Sequence, residues 1–213
     1  MRRNGNVANK IALSVKRLLD VLAASTLLLL FSPLWLITWL LVRFMLGAPA
    51  LFRQSRPGLA AKPFTLLKFR TMAEKRGPDG EPLPDAERMT KFGSWLRRYS
   101  LDELPQLWNV AKGDMSLVGP RPLLMQYIER YTPEQAQRHQ AKPGITGLAQ
   151  VGGRNAISWE DKFALDIYYV QHWSLWLDLR IILKTMWSLI RRDGISQEGH
   201  ATMPEFMGTH KSQ

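Results

Sequence analysis

Two adjacent carboxylates, Asp102 and Glu103, lie in the segment SLDELPQLWNV of an otherwise strongly basic protein. The chain has 29 Lys and Arg against 18 Asp and Glu, a formal net charge of +11, which favours an anionic partner such as a phosphorylated substrate or a phospholipid surface. Ionised carboxylates can act as nucleophiles or as ligands of a hard cation. The pair is therefore the first candidate for chemistry in this sequence.

A purely structural role for the pair is the first alternative. Ser100 to Glu103 fits the S-x-x-E capping box, and these four residues alone favour a helix cap. Pro105 weakens that interpretation, because a proline beyond the first turn costs a helical hydrogen bond, whereas proline suits the first position of a helix. If the helix starts near Pro105, both carboxylates face its positive end, which keeps a carboxylate ionised.

Arginines and glycine-rich turns surround the acidic pair in sequence. Arg97 precedes it, Arg121 follows between two prolines in GDMSLVGPRP, and Arg154 ends the segment KPGITGLAQVGGR. Arginine binds anionic oxygens through paired, charge-assisted bonds, and a glycine-rich backbone can approach phosphate. Carboxylates and arginines together are what phosphoryl transfer needs. Neither a P-loop nor a GxGxxG motif is present, so nucleotide binding of those kinds is unsupported.

The element that must place this chemistry is an uncharged N-terminal run of 22 residues, Val21 to Val42. A helix of that length rises roughly 33 Å, about the thickness of a bilayer core, and exceeds a signal-peptide core. Ser32-Pro33 at its midpoint predicts a kink. Lys and Arg flank both ends, so a hairpin-like helix that enters and leaves by the cytoplasmic face satisfies both flanks. A kinked spanning helix remains the alternative.

The rest of the chain alternates short elements with turns. We expect a linker within Gly47–Pro63, a strand over Pro63–Met72, a surface loop over Glu74–Glu87, helices over Met89–Tyr99, Arg121–Gln140 and Ser158–Val170, and a turn-rich segment over Lys142–Arg154. Within Arg121–Gln140, Thr132-Pro133 is expected to open a second helical piece. The final segment, LWLDLRIILKTMWSLIRR, is amphipathic. It is either a surface helix packed on the core or an interfacial helix with tryptophans at headgroup depth.

Composition excludes several other classes of protein. The absence of cysteine rules out a disulfide framework and a thiolate zinc site, and the four histidines lack metal-ligand spacing. The positive charge would suit nucleic acid, but no nucleic-acid-binding motif is present. The residues by themselves indicate membrane-bound phosphate chemistry.

The motifs KRLLD, KFRTM, SLDELPQLWNV, KGDMSLVGPRP and KPGITGLAQVGGRN, in this order, resemble the monotopic polyprenyl-phosphate phosphoglycosyl transferases, or bacterial sugar transferases. The resemblance runs from about Lys16 to Arg192 and is to the small, single-domain PglC-type members. It implies an α-rich α/β monotopic membrane protein in three parts. Residues 1–46 would form a basic segment and a re-entrant helix broken at Ser32 and Pro33. Residues 47–193 would form the catalytic domain with interfacial helices, and residues 194–213 a tail.

The resemblance also implies a reaction. Sugar-1-phosphate would pass from a UDP-sugar to undecaprenyl phosphate at the cytoplasmic face of the bacterial inner membrane, releasing UMP and starting a surface glycan. Asp102 would be the nucleophile, Glu103 the Mg²⁺ ligand, and Arg97, Arg121 and Arg154 the phosphate-binding residues. The segments RNAISWEDKFALDIYYV and EGHATMPEF are similar to enzymes that handle N-acetylated amino sugars.

Two rivals remain, a glycosyltransferase that moves the sugar without its phosphate and a non-catalytic membrane scaffold of a glycan-assembly complex. The sequence leaves the sugar, the pathway and the oligomeric state open.

Overall fold

The computed structural model describes residues 3–153, 157–191 and 205–208, and its architecture is helix-rich α/β, as predicted. The α-helices of these residues are α1 (Arg3–Leu30), α2 (Ser32–Leu46), α3 (Asp85–Arg88), α4 (Lys91–Arg98), α5 (Gln106–Lys112), α6 (Leu148–Gly152), α7 (Trp159–Gln171) and α8 (Leu175–Arg191). The β-strands are β1 (Leu51–Pro57), β2 (Pro63–Phe69), β3 (Ser116–Val118) and β4 (Gly144–Thr146). Helices α4, α7 and α8 lie where the sequence predicts them.

The two N-terminal helices meet at a sharp bend. Helix α1 ends at Leu30 and α2 begins at Ser32, with an angle of 64° between them. Pro33 lies in the first turn of α2, where its missing N–H removes no helical hydrogen bond. No single helix in the described chain is long and apolar enough to cross a membrane, whereas the bent pair passes that test by length and composition.

The segment KRLLD attaches α1 to the rest of the molecule through charged side chains. Lys16 Nζ lies 2.5 Å from Asp178 Oδ2 of α8, and the Arg17 guanidinium donates to two carbonyls at the end of α5, at 2.6 and 2.8 Å. Asp20 Oδ1 accepts a hydrogen bond of 3.1 Å from a backbone amide of β3. The polar side chains of the KRLLD segment therefore hold the apolar helix pair against the globular part.

The expected linker in Gly47–Pro63 is wrong at its centre. Strands β1 and β2 pair antiparallel from Leu51 opposite Phe69 to Pro57 opposite Pro63. Pro57, Gly58 and Pro63 lie at the turn of this hairpin, and Leu51 to Arg56 are ordinary strand residues. The buried amide of Asn109 then fixes β2 to α5, because it accepts from the backbone of β2 at 3.1 Å and donates to it at 2.8 Å.

The predicted helix over Arg121–Gln140 is wrong in its type, whereas the predicted break at Thr132-Pro133 is confirmed. The chain is non-helical through residue 124 and then forms two 3₁₀ segments, Met125–Arg130 and Gln135–Gln140. Prolines at the beginning and in the middle of this stretch interrupt helical hydrogen bonding. Tyr127 and Tyr131 instead pack against Phe206 of the C-terminal segment, with ring centroids 5.7 and 5.9 Å apart.

The glycine-rich segment Lys142–Arg154 contains β4 and α6, so it is more regular than the sequence predicts. Strand β4 pairs parallel with β3, and a Cβ at Gly144 would lie 2.1 Å from the backbone nitrogen of Gly119. A Cβ at Gly147 would lie 2.2 Å from the carbonyl oxygen of Gly119. These glycines are explained by close contact between two backbone segments.

Helix α8 presents most of its large apolar residues outward and its polar contacts inward. Ile181 and Asp178 are buried against the domain, whereas Trp176 and Leu183 are 62% and 55% exposed. Most of the apolar face recognised in the sequence, including Trp187 at 55% exposure, therefore does not pack on the core. Phe44 on α2 is 92% exposed as well.

Gly93 provides a test of the packing that brings α4 towards the candidate site. A Cβ at this position would lie 1.7 Å from the carbonyl oxygen of Thr71, a backbone atom. We expect Gly93→Ala to lower the free energy of unfolding by on the order of 3 kcal/mol, because the helix must move away. Thermal unfolding should show a decrease in Tm of roughly 6–12 °C. Ser94→Ala, at an exposed position of the same helix, is the matched control, and an unchanged Tm in Gly93→Ala would contradict this packing.

Candidate active site

The backbone around the acidic pair differs from a capping box. Ser100 has φ of 54° and ψ of 21°, and its side chain makes no cap hydrogen bond, so that interpretation is wrong. Asp102 and Glu103 lie in a single 3₁₀ turn, and α5 begins directly after Pro105. A positive φ at a residue other than glycine is uncommon and is often found beside functional groups. The left-handed residue turns the chain so that both carboxylates precede the helix.

Two cations from distant parts of the sequence bind Glu103. Lys68 Nζ of β2 donates to Glu103 Oε1 at 2.7 Å, and Arg121 Nη2 donates to the same oxygen at 2.8 Å. Lys68 Nζ also lies 4.0 Å from Asp102 Oδ2. Asp102 itself is only 6% exposed and accepts no hydrogen bond from these cations. Glu103 is thus fixed by two short ion pairs, whereas the Asp102 carboxylate contacts these cations only through the 4.0 Å ion pair with Lys68.

The two carboxyl groups have opposite pKa shifts. Burial raises the pKa of Asp102 to about 6, and the charge of Glu103 adds to this rise against the lowering effect of nearby cations. Burial also favours a higher pKa for Glu103, but Lys68 and Arg121 outweigh it and hold that pKa well below its usual range. Cations therefore keep Glu103 ionised, whereas for Asp102 burial and the charge of Glu103 outweigh the lowering effect of the cations.

The other predicted arginines are positioned by neighbouring groups. Arg97 Nε donates to Thr71 Oγ1 at 3.1 Å, and its charge lowers the pKa of Asp102. The backbone carbonyl of Arg121 accepts from the buried Arg138 at 2.8 Å. Arg154 lies outside the described residues.

The acidic pair opens into a cavity of about 880 Å³. One part of its wall is apolar and is built by residues of the α1–α2 bend and β1, namely Leu27, Phe31 and Phe52. A second part is charged and includes Lys68, Arg97, Asp102, Glu103 and Arg121. A third part is formed by β4, α6, α7 and α8 and contains polar side chains. The cavity therefore connects an apolar surface of the helix pair to a cluster of charged side chains of the kind that binds phosphate.

Sequence reasoning missed several cavity residues. Lys68 lies in the segment KFRTM, and Gln150 lies in the glycine-rich segment Lys142–Arg154. Lys162 and Asp166, one turn apart on α7, also line the cavity. Arg138, which holds Asp166 through two hydrogen bonds of 3.0 and 2.6 Å, has no local motif. Only the first two carried a signal that could have indicated them.

Comparison with known proteins decides the family. A family model described as bacterial sugar transferase matches residues 11–192. The chain belongs to the bacterial sugar transferases. The predictions of this family and of an enzyme are thereby confirmed.

The bacterial sugar transferase has well-covered relatives. It is 54% identical over 195 residues, 92% of this chain and 96% of the relative, to an uncharacterized sugar transferase, EpsL, from Bacillus subtilis. It is 46% identical to a UDP-glucose:undecaprenyl-phosphate glucose-1-phosphate transferase from Caulobacter vibrioides, covering 90% of this chain and 76% of that protein. It is 38% identical to an undecaprenyl-phosphate galactose phosphotransferase from Salmonella typhimurium, covering 91% of this chain and 44% of that protein.

The transferase's carboxylates fit a divalent cation of one particular kind. In the described part of the chain, no group of three or more His, Cys, Asp or Glu residues could hold a metal ion as a protein cage. Mg²⁺ commonly takes only one or two carboxylates and completes its coordination with waters and substrate phosphates. Glu103 uses Oε1 for both cations, which leaves its second oxygen and the Asp102 carboxylate as possible metal ligands. These oxygens suit a Mg²⁺ ion whose other ligands are waters and substrate phosphates.

Proposed function

We propose that this transferase moves sugar-1-phosphate from a UDP-sugar to undecaprenyl phosphate, giving undecaprenyl-diphosphate-sugar and UMP. The observation that carries this proposal is a weakly bound, buried carboxylate, Asp102, beside a carboxylate fixed by two cations in one cavity. The relatives from Caulobacter vibrioides and Salmonella typhimurium bear names of the same reaction with glucose and galactose. Such a product is the first lipid-linked intermediate of a bacterial surface glycan.

Asp102 would act as the nucleophile in a first step. Its pKa of about 6 leaves the carboxylate mostly ionised at pH 7. An oxygen of Asp102 would bond to the β-phosphorus of the donor while the bond from that phosphorus to the bridging oxygen breaks. UMP would leave with the electron pair, and the phosphosugar would remain on Asp102. Arg97 and Arg121 lie in the cavity wall, where their charges can stabilise the phosphoryl oxygens in the transition state.

Undecaprenyl phosphate would complete the reaction in a second step. One of its phosphate oxygens would attack the same phosphorus and release Asp102 as a free carboxylate. The apolar part of the cavity wall, with Phe31 at the helix bend, suits a lipid substrate, whereas the donor is soluble. When bound, Mg²⁺ held by Glu103 would neutralise charge on the diphosphate oxygens. Two successive half-reactions allow the lipid and the nucleotide sugar to use one site in turn.

The position of the site relative to a membrane is part of the proposal. The bent pair α1–α2 would enter one leaflet and return, at the cytoplasmic face of the bacterial inner membrane, with the break at Ser32 and Pro33. The outward apolar residues of α8, such as Trp176 and Leu183, would lie at headgroup depth beside phospholipids. This arrangement would place the cavity where a lipid phosphate and a soluble nucleotide can both reach it.

Nucleotide release from purified protein tests the proposal directly. The protein would be assayed with undecaprenyl phosphate, Mg²⁺ and a panel of UDP-glucose, UDP-galactose and UDP-linked N-acetylated amino sugars. We expect UMP with at least one donor, loss of UMP in the presence of EDTA, and recovery when Mg²⁺ is added. Release of UDP would support direct glycosyl transfer instead, and release of neither nucleotide with any donor would support a non-catalytic scaffold.

Lys68 offers a further prediction about the charge of the site. We expect Lys68→Met to reduce UMP release by about 100-fold, because the diphosphate would meet two carboxylates with one compensating cation removed. Lys112→Met is the matched control, since Lys112 pairs with Asp114 and its side chain is 63% exposed. Activity of Lys68→Met within threefold of wild type, at unchanged Tm, would contradict a role for Lys68 in transfer.

A further inference from the structure

The part of the cavity wall formed by β4, α6 and α8 contains neutral hydrogen-bonding side chains. Thr146 and Thr185 satisfy each other, with 2.7 Å between their hydroxyl oxygens, and Thr185 also donates to a carbonyl of its own helix at 2.8 Å. Gln150 of α6 lines the same wall. This region therefore differs in kind from the charged region around Glu103.

Gln150 is the residue of this wall whose side-chain polar atoms make no hydrogen bond within the described chain. Its side-chain Oε1 and Nε2 are both buried, and neither has a hydrogen-bond partner among the described residues. A Cβ at Gly147 would lie 2.7 Å from Gln150 Oε1, so the amide occupies space that only a glycine leaves open. A buried amide without partners destabilises a fold, and such groups in native proteins call for a specific explanation.

The chemistry of an amide separates the two proposed substrates. A carboxamide presents an N–H donor beside a C=O acceptor and carries no charge. Undecaprenyl phosphate offers only an apolar chain and phosphate oxygens. The arginines and the lysine of the site already match those oxygens. A nucleotide sugar has neutral groups that donate and accept side by side, the uracil imide and the sugar hydroxyls. The unused amide is therefore complementary to the donor and not to the lipid.

We propose that Gln150 is a donor-binding residue, whose amide turns into the cavity and hydrogen-bonds a neutral edge of the UDP-sugar. This inference rests on the proposed sugar-1-phosphate transfer and adds a recognition element to it. Binding of the UDP-sugar would give both amide atoms the partners that they lack among the described residues. Gln150 lies on a short helix capped by Gly147 and Gly153, on a separate segment from the acidic pair.

Steady-state kinetics of Gln150→Leu test the inference. Leucine keeps a similar volume but lacks both polar atoms, so we expect kcat/KM for the UDP-sugar to fall at least tenfold. We expect Tm to equal or exceed that of wild type, because two buried unpaired atoms are removed. A side chain with only a structural role would change Tm in the opposite direction. Gln171→Leu, at an exposed glutamine of α7, is the matched control for both measurements.

The same kinetics identify which part of the donor is bound. Uridine leaves as UMP after the first half-reaction, so a contact to uracil would leave kcat/KM for undecaprenyl phosphate unchanged. The sugar stays on Asp102 through the second half-reaction, so a contact to the sugar would lower both values of kcat/KM. Equilibrium binding of UDP alone is a second test. Gln150→Leu weakens this binding only if the wild-type amide contacts uracil, because UDP lacks the sugar.

Three results would overturn the inference. An active wild type with donor kcat/KM in Gln150→Leu within twofold of it would remove Gln150 from donor binding and leave the proposed function intact. A decrease in Tm of several degrees together with losses for both substrates would assign Gln150 a structural role. Absence of UMP release and of UDP binding in the wild type would reject the proposed function, and the inference with it.

Discussion

Asp102→Asn is expected to reduce sugar-1-phosphate transfer on the order of 10⁴-fold or more, because an amide of the same shape cannot form the bond to phosphorus. The folded protein should not suffer. Burial and the charge of Glu103 raise the pKa of Asp102, so the ionised form is unfavourable in the fold and a neutral replacement removes that penalty. We therefore expect Tm of Asp102→Asn to equal or exceed the wild-type value at pH 7.

Intact-protein mass measurement distinguishes this role from an indirect one. Wild type incubated with the donor and Mg²⁺, but without undecaprenyl phosphate, should gain the mass of one phosphosugar, and added lipid phosphate should remove it. Asp102→Asn should gain no such mass. Asp79→Asn, in an exposed loop, is the control for the same chemical change. An adduct on Asp102→Asn, or turnover within tenfold of wild type, would exclude Asp102 as the nucleophile.

Arg138→Met is expected to have the largest effect on stability. Arg138 and Asp166 form a buried pair in which Nη2 lies 2.6 Å from Oδ2, and both side chains are at most 2% exposed. Removal of one partner leaves the other charge buried, which costs about 3–5 kcal/mol. We expect Tm to fall by roughly 10 °C or more. The matched control is Arg53→Met at an exposed position of β1.

Two further variants separate stability from positioning at this pair. The double variant Arg138→Met/Asp166→Leu should recover most of the lost Tm, because no unpaired charge remains. It should still transfer slowly, since the bond from Arg138 to the backbone carbonyl of Arg121 is lost. Arg138→Lys keeps the charge but not the planar fork. We therefore expect a marked decrease in kcat with only a small decrease in Tm. A double variant no more stable than Arg138→Met would contradict this account of the pair.

The bend between α1 and α2 shows what local rules can predict. Proline restricts the backbone within one or two residues of itself, and Ser32-Pro33 placed a kink in the sequence where the structure has the 64° bend. Pro105 indicated the start of α5 by the same reasoning. The acidic pair was identified because two carboxylates stand together in a basic chain. These predictions depend on neighbours in sequence, which a sequence displays directly.

Some of the predictions that failed depended on partners far along the chain. The stretch around Tyr127 and Tyr131 avoids a helix partly because its aromatic rings pack on Phe206, about 75 residues later. The glycines at 144 and 147 are needed because Gly119 lies against them, and no local pattern separates that reason from phosphate binding. Periodicity and composition describe a segment's own preferences, and tertiary contacts override them.

The sequence by itself determined the chemical groups of this protein, a carboxylate pair, arginines and a broken apolar helix, together with the family to which they belong. Only the tertiary structure decided how the groups differ from one another. Asn109 fixes β2 to α5 and thereby brings Lys68 to Glu103 across 35 residues. That contact keeps Glu103 ionised while burial raises the pKa of Asp102. The physical reason is that charge and desolvation act through space, so the separate roles of two adjacent carboxylates arise only when the chain has folded around them.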